Sequence, residues 1–391
     1  MIAKIYIYIL LMILIPYLYM DLHYLRHRLK NRWRRILWWL PGIGMAIFTL
    51  LLGLSKDFVP ADISIVNTYL FLLGLLVVPF FVWMLCSMVG WGIVRLRKGR
   101  RNYGNLLGLV LVLLMWYVLF YGTFIGFSRL TVRHVTYSSD RLPASFDGYR
   151  IVQFSDAHVG TYGSGRQDLL RMAVDSINIQ QPDAIVFTGD LQNRQPDEVY
   201  PVIPILSELK AKDGVFSVLG NHDYPIYLRV DDATKTANLL EIQRLERNMD
   251  WFLLLNEYIS IRRDKDSIVI AGMENDGDGK KFPQLGDIDK TLDGVSDSAF
   301  VVMLQHDPSS WRRKILPRSQ VQLTLSGHTH AMQFMLFGWS PVSFVYDEWG
   351  GWYEKDSRAL FVSTGLGGFI PFRFGVPGEI VVITLKSTKL T

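Results

Sequence analysis

The sequence predicts an α/β domain whose sheets are covered by helices, carried behind a region of four membrane-spanning helices. Three observations lead there. Half of the 391 residues are hydrophobic and the mean hydropathy is positive, which is high for one soluble domain and fits a membrane part joined to a soluble part. The apolar residues are unevenly placed: long runs fill the chain up to Phe127, and short runs alternate with helical spacing after Tyr149. Metal-ligating residue types follow the short runs, at Asp156-Ala157-His158, Gly189-Asp190, Gly220-Asn221-His222-Asp223, His306-Asp307-Pro308 and Ser326-Gly327-His328-Thr329-His330.

The long runs are Ile2 to Met20, Ile36 to Leu54, Tyr69 to Val94 and Leu106 to Phe127. Each is near the roughly 20 residues a helix needs to cross a bilayer. Trp38, Trp39, Trp91 and Trp116 lie in them, many of the aromatic residues near the ends, as in interfacial belts. A buried core helix usually carries polar residues on one face, and Phe71 to Val82 carries none. Charge orients the spans. The segments Asp21 to Arg35 and Arg95 to Arg101 hold eleven Lys/Arg and one Asp, whereas Ser55 to Asn67 sets Lys56 against Asp57 and Asp62. Short loops rich in Lys and Arg stay in the cytoplasm. The expected arrangement is a multi-pass protein of the cytoplasmic membrane with everything after Phe127 outside the cytoplasm. Arg129 and Arg133 argue weakly the other way.

The formal net charge is +5, and the two basic loops contribute +10, so the remainder carries −5. The basic balance therefore reports two short loops and not a nucleic-acid-binding face. The single cysteine, Cys86, lies in an apolar run, so no disulfide can form within the chain. Such a thiol-free soluble part is compatible with an oxidising compartment.

Residues 128–148 read as a polar connector, so the expected organisation is spans over 1–127, connector over 128–148 and catalytic domain over 149–391. Within the last, Arg150 to Phe154, Ala184 to Phe187, Val215 to Leu219, Ser267 to Ala271, Phe300 to Leu304, Gln322 to Leu325 and Ile380 to Leu385 read as strands. Arg166 to Asn178, Glu198 to Ala211 and Ala233 to Met249 read as helices. This alternation is what predicts sheets covered by helices. Asn275-Asp276-Gly277-Asp278-Gly279 has the look of a calcium loop but lacks the spacing and closing glutamate of one.

Ligands just beyond strand C-termini converge on one crevice of an α/β sheet. Asp156 and His158, on alternate residues, can point to one side, a carboxylate such as Asp190 can bridge two cations, and Asn221 offers a neutral oxygen beside the nitrogens of His306, His328 and His330. Mixed nitrogen and oxygen donors without a thiolate suit Mn, Fe, Zn or Co. Two such ions roughly 3.5–4 Å apart lower the pKa of bound water to about 7 and clamp an in-line displacement at phosphorus.

Over roughly Tyr149 to Leu385 the chain resembles the calcineurin-like metallophosphoesterases, on the motifs just quoted. The resemblance implies a two-sheet β-sandwich flanked by helices and two divalent transition metal ions. One would be held by Asp156, His158, Asp190 and His330, the other by Asp190, Asn221, His306 and His328. It further implies that hydroxide held between the metals attacks phosphorus while His222, not a ligand, stabilises the phosphoryl charge and protonates the leaving oxygen. The ending Gly365-Leu366-Gly367, Pro371-Phe372-Arg373 and Pro377-Gly378-Glu379-Ile380 is similar to a membrane-attached bacterial branch.

The substrate implied is a phosphodiester, a phosphomonoester or a diphosphate, lipid-linked esters included. Two departures stand out. Many relatives carry Asp three residues after the bridging Asp, where it can orient the catalytic histidine, and this chain has Asn193. Similar bacterial members often follow the histidine pair with two glycines, and this chain has Ala331 and Met332 leading into Phe334, Met335, Leu336, Phe337 and Trp339. That stretch reads either as an apolar wall beside the site or as an ordinary packed helix; Trp349, Trp352 and Tyr353 raise the same question. Two other classes compete with the hydrolase. A catalytically inactive sensor that kept the fold tends to lose ligands, and all are present here. A carrier with an appended domain needs ionisable residues at mid-membrane depth, and the spans have almost none.

Overall fold

The computed structural model describes residues 2–29, 31–55, 60, 62–163, 165–279 and 282–388, with the side chains of 2–4 excepted. Lys30, Lys56 and Asp57, which entered the comparison of loop charges, lie outside the described residues. The chain divides into two compact units, Met1–Phe124 and Ile125–Thr391.

The first unit holds four helices long and apolar enough to cross a bilayer, Ile5–Arg28, Arg32–Leu54, Ile63–Leu96 and Tyr103–Gly126. Their apolar side chains point largely outward; Leu37, Leu51, Leu107 and Leu114 are all exposed, as lipid-facing residues must be. The protein is a multi-pass membrane protein. Asp21, the one acid of the basic loops, is held bidentately by Arg35, with Nε to Oδ1 at 2.8 Å and Nη2 to Oδ2 at 2.7 Å.

The second unit is built on twelve strands among the described residues: β1 (Leu130–Ser139), β2 (Arg150–Phe154), β3 (Ala184–Phe187), β4 (Val215–Ser217), β5 (Trp251–Leu253), β6 (Glu257–Arg263), β7 (Asp266–Gly272), β8 (Phe300–Leu304), β9 (Leu323–Ser326), β10 (Gly351–Lys355), β11 (Arg358–Val362) and β12 (Gly378–Ser387). They form two six-stranded mixed sheets, in the orders β1-β12-β2-β3-β4-β5 and β10-β11-β9-β8-β7-β6. Side-chain alternation puts the sheets face to face. Ile151, Ala184, Val186 and Phe216 of the first pack with Ile268, Ile270, Phe300, Val302 and Leu325 of the second in one buried core. The intervening Val152, Phe154, Ile185 and Phe187 turn to the other face, where Leu170, Val174 and Ile177 of the helix Gln167–Ile179 cover them. Truncating a fully buried ring such as Phe187 to Ala costs about 3–5 kcal/mol.

Three readings change. The segment 128–148 is not a plain connector: β1 lies within it and runs parallel to β12 over its whole length. As an edge strand it is half exposed, and Arg133 pairs with Glu379 at 3.0 Å, so its polar outer face hid it. The helix expected over Glu198 to Ala211 shrinks to two 3₁₀ turns and the short helix Ile203–Leu206. Pro196, Pro201 and Pro204 supply no N–H and only fit the first turns of helices. The apolar stretch Met332 to Trp339 is not a packed helix. Ala331, Met332 and Gln333 have φ of 49°, 49° and 54°, and the backbones of Leu336 and Trp339 bond each other across a tight turn with Phe337 and Gly338 at its tip. Trp352, by contrast, packs on Tyr137 and Phe361.

Candidate metal centre

The ligands expected from the sequence leave the C-terminal ends of parallel strands in both sheets. Asp156 and His158 follow β2, Asp190 follows β3, Asn221 and His222 follow β4, His306 follows β8, and His328 and His330 follow β9. Because the ends of both sheets open on the same edge, the five loops meet.

Two groups of donor atoms result. Asp156, His158, Asp190 and His330 form one and Asp190, His306 and His328 the other, with the donor atoms of each group within 4.8 Å of one another. Asp190 Oδ2 serves both, lying 3.5 Å from His158 Nε2 and 3.3 Å from His306 Nε2. In the first group, His330 Nε2 is 3.1 Å from Asp156 Oδ1 and 3.2 Å from His158 Nε2. Asn221 Oδ1 joins the second, 2.8 Å from His328 Nδ1 and 3.2 Å from His306 Nε2. His222 belongs to neither group; its ring lies 4.8 Å from that of His158.

Backbone strain sets much of this geometry. Asp156, His158, Asp190, His328 and His330 have φ of 53°, 45°, 63°, 76° and 50°, a region that costs a non-glycine residue on the order of 1–3 kcal/mol and persists only where the surroundings enforce it. At Gly327 a Cβ atom would lie 2.0 Å from Ser155 Oγ and 2.2 Å from Asp156 Oδ2, so the β9 loop reaches the β2 loop only with glycine there. The next amide, His328 N–H, donates to both oxygens of Asp156 at 3.0 Å, joining loops of the two sheets.

Several supporting residues were not legible as such. Asp223 clasps the β3 and β4 loops: one oxygen accepts from the N–H of Asp190 at 2.8 Å and of Gly220 at 2.9 Å, the other from Leu191 at 2.9 Å and Gln192 at 3.2 Å. Burial, and next the charge of Asp190, pushes its carboxyl up to about 7. Fully buried Arg373 donates to the carbonyls of Thr364, Gly365 and Gly367, and burial brings its pKa down to about 10. It thereby shapes the loop whose Leu366 and Gly367 amides bond Ser155 and Asp156. Tyr346 and Tyr227 place their hydroxyls 2.7 Å from His328 Nε2 and 2.8 Å from Asn221 Nδ2. Asp223 and Arg373 at least fall inside the quoted motifs; the two tyrosines have no motif to give them away.

The outer nitrogens fix which atoms face inward. His306 Nδ1 donates to the Thr188 carbonyl at 2.7 Å, so Nε2 is its inward atom. The Nδ1 atoms of His158 and His330 are buried with no hydrogen-bond partner among the described residues. Burial holds His158 and His328 below the usual histidine pKa, in the neutral state that a metal ligand needs. For Asp190, burial alone would raise the pKa, but His306 and then His222 outweigh it and keep the carboxylate ionised. Burial likewise opposes protonation of His306, yet Asp190 lifts it to about 10. A cation at Asp190 would take the place of that proton. Clustered imidazoles and carboxylates with inward nitrogens and a shared carboxylate oxygen fit divalent metal ions.

His222 is oriented differently from expectation. The Asn193 side chain does not reach it; its Nδ2 donates to Thr161 Oγ1 at 2.7 Å and to the Phe369 carbonyl at 3.3 Å. The main-chain carbonyl of Asn193 takes its place, accepting from His222 Nδ1 at 2.6 Å. That bond leaves Nε2 to handle a proton. Burial lowers the His222 pKa.

Fold and site together define a divalent-metal α/β protein of the two-sheet kind. Residues 149–332 match the family model described as "Calcineurin-like phosphoesterase", and residues 3–127 match "Probable Calcineurin-like phosphoesterase, transmembrane domain". The uncharacterized metallophosphoesterase YkuE of Bacillus subtilis is 35% identical over 281 residues, 68% of this chain and 90% of that one. A transmembrane protein with metallophosphoesterase domain from Danio rerio is 30% identical over 255 residues, 63% of this chain and 55% of that protein. Among solved structures, a dimetal phosphatase from Danio rerio aligns over 61% of this chain and 99% of its own, at 16% identity and a TM-score of 0.35. The chain belongs to the calcineurin-like metallophosphoesterases and carries the transmembrane region of a four-span branch.

Proposed function

We propose that the protein is a dinuclear-metal phosphoesterase acting at the extracytoplasmic face of the cytoplasmic membrane, with an amphiphilic, lipid-linked phosphate as its preferred substrate. The observation that carries the hydrolase reading is the position of Asp190 Oδ2 between His158 Nε2 and His306 Nε2, at 3.5 and 3.3 Å. Asp156, His158, Asp190 and His330 hold one cation and Asp190, Asn221, His306 and His328 the other, with Mn, Fe or Zn suited to the donors. When bound, the pair supplies Lewis acidity and an activated water at neutral pH. His222 meets the phosphoryl group beside the cluster; with Nδ1–H held by the Asn193 carbonyl, it acts as an acid in its imidazolium form, which the phosphoryl anion favours against the cost of burial, and its Nε2–H then goes to the departing oxygen.

The charge of the two basic loops supports the side. The turn after His330 supports the substrate. Phe337 at its tip is fully exposed, and Met332, Leu336, Trp339, Phe344 and Val345 are exposed around it, an apolar patch of the kind that marks a binding surface. Met335 N–H bonds the Phe374 carbonyl at 2.8 Å and Phe374 N–H bonds the Gln333 carbonyl at 2.9 Å, so the turn is anchored at its base.

The test is a side-by-side assay of full-length protein in detergent, loaded with each metal, on an aryl phosphodiester, an aryl phosphomonoester and extracted lipids. The expected result is metal-dependent hydrolysis with lipid-linked esters preferred. No hydrolysis with any metal would overturn the hydrolase reading; equal turnover of soluble and lipid-linked esters would overturn only the substrate. A C-terminal reporter active only in the cytoplasm would overturn the side.

A further inference from the structure

The carboxylate that many relatives place beside the catalytic histidine is missing at Asn193, yet a carboxylate does reach that histidine through the main chain. The peptide joining Asn193 and Arg194 has His222 Nδ1 on its carbonyl at 2.6 Å and Glu198 Oε2 on its N–H at 3.3 Å. The same Oε2 accepts from the Asn193 N–H at 2.6 Å, so both amides flanking Asn193 are anchored to one oxygen. Glu198 Oε1 is buried with no hydrogen-bond partner among the described residues. At Gly160 a Cβ atom would lie 2.5 Å from Oε2 and 2.8 Å from Asn193 Oδ1, so the carboxylate fits only because residue 160 has no side chain. A buried carboxylate, offset by the charge of Arg194 and given room by a glycine, is more than a turn that needs only an acceptor requires.

We propose that Glu198 is a positioning residue for His222, acting through the 193–194 peptide; this rests on the reading of His222 as the proton donor to the leaving oxygen. An anion on the N–H side polarises the peptide and makes its carbonyl a stronger acceptor. The stronger bond holds the proton on His222 Nδ1 and fixes the ring plane, on which Tyr227 stacks at 4.5 Å while Phe369 lies tilted at 5.7 Å. Nε2 then points one way, toward the phosphoryl group. Burial pushes the Glu198 carboxyl up to about 7 while the amides of Asn193 and Arg194 pull it down, so the carboxylate form is present above that pH.

The discriminating variant is Glu198→Gln, whose amide oxygen can still accept both N–H groups but carries no charge. It is made in the full-length protein and assayed above pH 7.5 on phosphoesters graded by leaving-group basicity. Esters with poor leaving groups need the proton from His222 and should slow on the order of tenfold, a fraction of the range of a whole positioned acid, at unchanged KM and metal content. Activated aryl esters should be nearly unaffected, an asymmetry that a general loosening of the loop does not produce. In a His222→Ala background the same substitution should cost nothing further. Gly160→Ala, which displaces the carboxylate, should reproduce the asymmetry. In metal-free protein labelled with ¹⁵N-histidine, the His222 Nδ1–H resonance, assigned by its loss in His222→Ala, should move upfield in Glu198→Gln.

Equal slowing of all esters, additive loss in the double variant, or an unmoved resonance would each overturn the proposal. If His222→Ala itself leaves leaving-group dependence unchanged, the proton-donor reading falls and Glu198 falls with it. If His222→Ala steepens that dependence and Glu198→Gln does not, Glu198 alone is refuted.

Discussion

The two donor groups that share Asp190 are held by different means. In the first, Asp156, His158 and His330 all sit in left-handed backbone, at φ of 53°, 45° and 50°, and the outer nitrogens of both imidazoles lack hydrogen-bond partners among the described residues. In the second, His328 shares that backbone at φ of 76° but His306 and Asn221 do not, and each of these side chains is pinned from outside: His306 by the Thr188 carbonyl, His328 by Tyr346 and Asn221 by Tyr227. One half of the site thus relies more on the main chain, and the other adds outer hydrogen bonds to each imidazole and to Asn221. Geometry written into strained loops lasts only while the surrounding packing enforces it, whereas geometry held by outer hydrogen bonds can be tuned one partner at a time.

Asp190→Ala tests what the halves share. Its carboxylate is the common member, so activity should fall to background and occupancy of both groups should drop; a variant that keeps either group fully loaded would separate the halves completely. His222→Ala leaves both halves intact. Turnover should fall by about 10²–10⁴-fold with metal content unchanged by elemental analysis, and loss of metal would make His222 a ligand. Tyr346→Phe should weaken metal binding by about 10–100-fold at the second group alone, read from competition with a graded chelator. Equal weakening of both groups would erase the contrast drawn above. The smallest effect belongs to Phe337→Ser, which touches neither half. It should leave soluble esters unchanged and lower turnover of a lipid-linked ester severalfold.

What the sequence could reveal follows the same division. The candidate ligands could be picked out because each follows a short apolar strand, and strands such as Ala184–Phe187 and Phe300–Leu304 are buried on both faces and read as unbroken apolar runs. β1 and β6, half exposed along their lengths, carry too much polar residue for that signal. The outer partners are remote in the chain and chemically ordinary: Tyr346 is 18 residues from His328, and the Thr188 carbonyl is 118 from His306. Asn193 is the instructive departure, since position 193 meets His222 with its main chain and not its side chain. A main-chain carbonyl holds His222, and every residue has one. Glu198, read as the start of a helix, was displaced from that role by prolines at 196, 201 and 204.

Metal stoichiometry tests the shared carboxylate most directly. Full-length protein, stripped and reloaded with Mn, Fe or Zn, should bind two ions per chain by elemental analysis, with phosphoester hydrolysis rising as the second ion is taken up. Saturation at one ion per chain with full activity would contradict the dinuclear centre.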